Sequence, residues 1–344
     1  MTINFDNVYI KETSTIVGPY EKEGSLNAYF DKTCNDFYNG AKTIEQSEVK
    51  FLKESIDILF QKTNMNQNDI DLIIGGDLLN QITATCYGVK DYNIPFLGIY
   101  GACSTNVEGI SIAASLIDSK RINKAIISVS SHNLSSEKQF RNPIEYGGPK
   151  PSTSTVTSTG AASIMLTNTK EEIKVESATI GKICNANIKD PFNMGAVMAI
   201  AAADTIYRHL KDTNRTIKDY DLILTGDLGI YGKEILQDVM QKEYNIELEN
   251  YNDCGTMLYD LEKQKEMLAG GSGPVCNALV SYSYILNEMK KKKLRRVLLV
   301  ATGALFSPTF VYQHRDILSI AHAVSLEVTQ WFIYIRFCFV AQFV

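Results

Sequence analysis

Residues 63–78 and 213–228 carry one pattern, Thr-Asn-x4-Asp-x-Asp-Leu-Ile-x2-Gly-Asp-Leu, at an offset of 150 residues without a gap; nine of the sixteen positions are identical. A second pair of segments follows in the same order. Gly101-Ala-Cys-Ser opens an apolar stretch ending in Arg121-Ile-Asn-Lys-Ala-Ile-Ile-Ser-Val, and Gly271-Ser-Gly-Pro opens another ending in Leu294-Arg-Arg-Val-Leu-Leu-Val. Solenoid repeats recur every ~20–50 residues, so this spacing means a duplicated domain. The chain reads as two fused halves, 1–170 and 171–327, parted at the polar Asn168-Thr-Lys-Glu-Glu, with 328–344 as an atypical apolar tail.

Each half repeats one order of elements. Val49, Leu52, Ile56 and Leu59 recur at helical spacing, which predicts an amphipathic helix over 45–62 with one buried stripe. Asp71-Leu-Ile-Ile-Gly-Gly, Ile94-Pro-Phe-Leu-Gly-Ile-Tyr and Ala125-Ile-Ile-Ser-Val read as buried strands. Between the last two, Val107, Ile110, Ile112, Ala113, Ala114, Leu116 and Ile117 surround a helix at 105–120 with apolar and small groups, so it is covered on all sides. Cys276-Asn-Ala-Leu-Val-Ser-Tyr-Ser-Tyr-Ile-Leu is its counterpart. Two such helices in a duplicated α/β chain predict a helical layer between two sheets with helices outside each sheet, five layers in the order α-β-α-β-α.

A net charge of −5 argues against a nucleic-acid binder, which usually presents a strongly basic face. The seven cysteines lack CxxC pairing, matching neither a zinc site nor a disulfide framework, and suggest a reducing compartment. The N-terminus has no signal-peptide pattern, and the tail from Trp331 is shorter than the ~20 residues a bilayer span needs. The run Lys290-Lys-Lys-Lys-Leu-Arg-Arg reads first as a solvated helix end and second as a contact for anionic lipid.

The sharpest local signal for chemistry is Gly101-Ala-Cys103-Ser104-Thr105, a strand that turns at a cysteine into the buried helix. Unpaired N–H groups and the helix dipole at such a turn favour a thiolate at Cys103 or an anion beside it. The alternative is a cysteine that only packs. Asp77 and Asp227, at matching strand ends, either cap turns or face the same site. The Pro-, Gly- and hydroxyl-rich loop 141–158 is longer than most connections, a feature commonly functional.

These residues resemble the thiolase and ketoacyl-synthase superfamily, whose fold has the same duplicated halves and five layers, and in which the cysteine at this turn carries the acyl group. Within it, Gly76-Asp-Leu-Leu-Asn-Gln, Phe96-Leu-Gly-Ile-Tyr-Gly-Ala-Cys-Ser-Thr, Ser130-Ser-His-Asn, Gln139-Phe-Arg-Asn-Pro-Ile-Glu-Tyr-Gly-Gly, Asp190-Pro-Phe-Asn-Met-Gly, Ala269-Gly-Gly-Ser-Gly and Val300-Ala-Thr-Gly-Ala-Leu-Phe-Ser-Pro-Thr resemble the stage V sporulation protein AD family of endospore-forming bacteria. That likeness runs from about residue 10 to about Glu327; the apolar sequence beyond does not look like the family's short polar ending.

Condensing enzymes of the superfamily pair the cysteine with a histidine and a second histidine or asparagine. The matching places here hold Thr225-Gly226-Asp227 and Gly270-Gly271-Ser272. The resemblance therefore implies a non-catalytic protein that binds dipicolinic acid (pyridine-2,6-dicarboxylate) for uptake into the developing spore. The alternative is an acyl-transfer enzyme with Cys103 as nucleophile. The expected ligand residues are Asp77, Cys103, Ser104, Thr105, His132, Asp227, Gly271 and Ser272, with hydroxyls from Thr153–Ser158; His132 alone among four histidines follows a strand beside the site, and His209 is expected on a surface-type helix. No resident cofactor is expected, and Ca2+ would come with the ligand. The resemblance further implies a homodimer at the cytoplasmic side of the forespore or spore inner membrane, held peripherally by membrane proteins of the same sporulation group.

Overall fold

The computed structural model describes residues 1–140 and 148–329; seven residues of the expected functional loop and the tail beyond Thr329 lie outside them. Each half builds five strands in one order. In the first half the order is Tyr9–Val17, Gly160–Thr167, Lys124–Ser131, Leu72–Gly76 and Phe96–Gly98. In the second it is Ile173–Thr179, Leu318–Val328, Arg296–Leu305, Leu222–Thr225 and Tyr251–Asp253. Hydrogen bonding at one corner, where Tyr9 and Ile10 face Lys174 and Ile173, joins the two sets into one mixed sheet. The N-terminal strand Thr2–Asn4 pairs with Ile173–Thr179, so the first residues of the chain complete the second set.

The period-2 alternation of a strand sends successive side chains to opposite faces, and here it sorts the apolar residues into three cores. Ile74, Ile127, Leu224 and Leu299 point inward onto the central helices, in the largest core. Their neighbours Ile73 and Ile126 face outward onto the helix Ile44–Thr63, whose stripe Phe51, Leu52, Ile56 and Leu59 is fully buried. Ile223 and Leu298 face outward onto the helices Met194–Asp212 and Gly229–Tyr244. Three apolar cores, the central one packed against both sets of strands, thus hold together five layers in the expected α-β-α-β-α order.

Both central helices form where the all-round apolar pattern placed them. The first runs Thr105–Asp118; the second runs Pro274–Val280, relaxes into a π-turn at Ser281–Ile285, and ends at Lys290. Proline at its first turn suits a helix start, because the missing N–H would have had no partner. The two helices are bridged by a buried amide pair, Asn106 Nδ2 donating to Asn277 Oδ1 at 2.7 Å, and the Tyr282 hydroxyl donates to Asn106 Oδ1. This polar pair sits inside the apolar layer, and every donor named has an acceptor.

Removing one member leaves the rest stranded. Asn106→Leu is expected to cost about 2–4 kcal/mol by urea unfolding, because the Asn277 carbonyl and the Tyr282 hydroxyl lose their partners. Adding Asn277→Leu should cost less than the sum of the two single changes; strict additivity would show that the bridge does not couple the helices.

Candidate functional site

Cys103 lies on a short 3-10 turn, Ala102–Ser104, inserted between the strand Phe96–Gly98 and the first central helix. Ala102 takes a left-handed backbone (φ 51°) to make the turn, a conformation that costs a non-glycine residue about 1–3 kcal/mol and clusters at functional sites. Small neighbours permit it. A Cβ at Gly303 would come within 2.4 Å of the Gly101 carbonyl, so the strand Arg296–Leu305 can pass this turn only with a bare backbone.

The turn consumes the Ser104 and Thr105 groups expected to receive an anion. Ser104 N–H donates to Gly101 O, and Thr105 N–H to Ala102 O. The Ser104 and Thr105 hydroxyls donate back to the same two carbonyls, at 2.7 Å each. Neither residue keeps a hydroxyl for a ligand.

Beneath Cys103 the second half supplies a carboxylate. Asp227 is buried and accepts from Ser272 Oγ (2.9 Å), Gly273 N (3.1 Å) and Thr302 Oγ1 (2.8 Å). Ser272 Oγ is 3.9 Å from Cys103 Sγ. Burial pushes the Cys103 thiol well above its ordinary range, and the Asp227 charge pushes it further. This corrects the thiolate expectation: desolvation and a neighbouring anion outweigh the helix dipole, and the thiol keeps its proton at neutral pH.

The duplicated aspartates do different work. Asp77 accepts from Leu79 N (2.8 Å), Thr85 N (2.7 Å) and Thr85 Oγ1 (2.6 Å), pinning a turn and the start of a helix. In the second half that capping belongs to Asp253, which accepts from Thr225 Oγ1, Leu228 N and Gly229 N. Asp227 is thereby available to Cys103. The first-copy strand also runs one residue further, with Gly76 opposite Val129, while the second stops at Thr225 opposite Val300.

His132 is not at the site. It continues the outward parity of its strand, with its Nε2 hydrogen-bonded to Phe37 O at 2.7 Å, its Nδ1 accepting from Leu134 N, and its ring packed near Phe37 and Phe51. His209 is buried between Thr179 and Tyr220 rather than on a surface, and His322 accepts from Gly181 N. Gly271 pairs with Val156 in a two-stranded ladder, where a Cβ would meet Cys276, Tyr259 and Ser158.

Cys103 and Ser272 form the floor of a cleft of about 200 Å³. Tyr100, Phe140, Phe192 and Phe306 give it aromatic walls, with Phe140 and Phe306 meeting edge to face at 5.5 Å. Ser154, Thr155 and Thr157, from the described part of the loop 141–158, also line it. Ser136, Glu137 and Lys150 line it as well; none of the three was named from the sequence, although Lys150 lies in the loop 141–158 singled out there. Lys150 and Glu137 form an ion pair there. Elsewhere, the basic run is largely matched by carboxylates: Lys291 and Lys293 pair with Glu288, and Arg295 and Arg296 with Glu327. No helix among the described residues is long and apolar enough to cross a membrane.

The buried thiol makes a kinetic prediction. Alkylation of Cys103 by iodoacetamide, followed by peptide mass spectrometry, should still be accelerating at pH 9, because only the thiolate reacts. Asp227→Asn removes the anion and should speed the reaction at pH 8 by about 3- to 10-fold; an unchanged rate would mean that Asp227 does not govern the sulfur.

Comparison with known proteins agrees with this geometry. The sequence model for "Stage V sporulation protein AD (SpoVAD)" matches residues 1–327. Stage V sporulation protein AD of Bacillus subtilis (strain 168) is 43% identical over 320 residues, covering 93% of this chain and 94% of the relative. Among solved structures, a single-site variant of OleA from Xanthomonas campestris superposes with a TM-score of 0.59 at 15% identity, covering 94% of this chain and 99% of that one. The 3-oxoacyl-[acyl-carrier-protein] synthase III of Aquifex aeolicus gives a TM-score of 0.55 at 13% identity, covering 93% and 99%. The likeness to these two structures fixes the fold as that of the thiolase and ketoacyl-synthase superfamily, and the sequence match fixes the branch: the chain belongs to the stage V sporulation protein AD family.

Proposed function

We propose that this protein is a non-catalytic member of the thiolase fold that binds dipicolinic acid, free or as its calcium chelate, for uptake into the developing spore. The observation that carries this reading is the company of Cys103. Acyl transfer needs a thiolate and donors aimed at a developing oxyanion. Here a buried carboxylate and a serine stand where condensing enzymes hold imidazole and amide, and burial, with the carboxylate adding to it, keeps the thiol protonated. An oxyanion formed at this sulfur would meet Asp227.

The cleft suits a small flat acid. Its volume is below the ~300–1,000 Å³ of sites for drug-sized ligands, in keeping with a ligand of about a dozen non-hydrogen atoms. Aromatic walls favour a planar ring, by stacking or by edge contacts. Calcium, when present, is cargo carried in by the ligand. On this reading the protein works as a homodimer, peripherally, at the cytoplasmic side of the forespore or spore inner membrane beside membrane proteins of the same sporulation group.

One observation favours acyl transfer instead: the left-handed Ala102 that presents Cys103 at the cleft floor is the kind of strained turn that often carries a nucleophile. Two measurements separate the readings. Calorimetry of the purified protein should give saturable binding of dipicolinate or its calcium chelate at or below millimolar concentration. Incubation with acyl-coenzyme A thioesters should leave its mass unchanged. No binding at millimolar ligand, or an acyl adduct abolished by Cys103→Ala, would overturn the proposal.

A further inference from the structure

Two buried hydroxyls in the cleft lining have no hydrogen-bond partner among the described residues, Ser136 Oγ and Ser154 Oγ, each residue 4% exposed. A buried hydroxyl left unpaired costs about 1–3 kcal/mol, and such groups are rare in folded proteins. Two in one small cleft point to a partner that the protein does not itself supply. Their backbones are held in place: Ser136 N–H donates to His132 O at the start of the helix Asn133–Phe140, and Ser154 N–H donates to Pro151 O while its carbonyl accepts from Ala269 N. The hydroxyls therefore cannot reach other acceptors by a shift of the main chain.

Lys150 shares the same lining and is the one cation among the described residues there; Glu137 is the one carboxylate. The Lys150 side chain is only 18% exposed, so its charge acts across a partly desolvated cleft, where it is worth more than at a surface. A lysine ammonium has three donors, and each hydroxyl adds one. Donors of this number ask for an acceptor with several lone pairs, which a carboxylate provides.

We infer that Lys150, Ser136 and Ser154 form a carboxylate subsite, and that a bound organic acid sets its acid group there rather than at the helix mouth beside Cys103. The inference rests on the ligand-binding reading above and fixes the chemical class of the group recognised. The incoming carboxylate takes over from Glu137, or shares Lys150 with it, and accepts from the two serines. The Cys103 end of the cleft is unsuited to that role, because the hydroxyls of Ser104 and Thr105 are spent and Asp227 lies beneath.

The test is calorimetry on the full chain with three probes: pyridine-2,6-dicarboxylate, pyridine-2-carboxylate and pyridine-2,6-dicarboxamide. Lys150→Met should weaken both acids by about 10- to 100-fold, and Ser136→Ala with Ser154→Ala together by about 10-fold. Lys150→Arg, which keeps the charge, should retain most of the affinity and show that the lysine variants fold. The uncharged dicarboxamide should bind weakly and respond little to Lys150→Met. Wild-type binding of the acids that survives both Lys150→Met and the double serine change sinks this inference while leaving the proposed function standing. Failure of the wild-type protein to bind any acid sinks the proposed function and the subsite with it.

Discussion

A single buried carboxylate decides what the centre of this molecule can do. Asp227 gathers three donors from two segments of the second half, Ser272 with Gly273 and Thr302, and sits beneath the sulfur of Cys103 from the first half. Removing a carboxylate from water is expensive unless donors surround it, and these three, with the main chain fixed behind them, hold it in place. The consequences are electrostatic. Burial holds the Cys103 thiol in its protonated form and the Asp227 carboxylate adds to that, while burial raises Asp227 itself above its ordinary range; an oxyanion generated at that sulfur would lie against this carboxylate.

The duplication shows how Asp227 is freed for this place. Both copies end the same strand in Gly-Asp-Leu, yet Asp77 caps Leu79 and Thr85 while Asp227 turns to the shared interface. The capping work that Asp77 performs falls in the second half to Asp253, on the neighbouring strand. Repeated sequence has not meant repeated function, because a side chain just upstream differs: Thr225 occupies the place of Gly75, and its hydroxyl donates to Asp253. The central helices remain the symmetric element, joined by Asn106 and Asn277.

The layers were legible in the sequence because period and burial speak directly: an all-round apolar helix must be covered, and strands read as continuous apolar runs must be covered on both faces. Cys103 and Ser272 were legible for the same reason, as residues at the starts of those helices. The placement of His132 was not, although its parity with Ile126, on the outward face, was the available signal. Ser104 and Thr105 failed as ligand groups because a 3-10 turn, which no periodicity reveals, spends their hydroxyls locally. Lys150 and Ser136 were missed because nothing near them in sequence names their partners; they reach the cleft only through the packing of a helix from one region and a loop from another.

The central claim is that the cleft above Cys103 holds an organic acid without reacting with it. A crystal structure of the protein soaked with dipicolinate tests this most directly. The account predicts an intact pyridine ring against the edge-to-face pair Phe140 and Phe306, a carboxylate on Lys150 and the two serines, and an unmodified Cys103 above Asp227. A ligand bound elsewhere, or density for a covalent bond at the sulfur with Asp227 turned away, would contradict it.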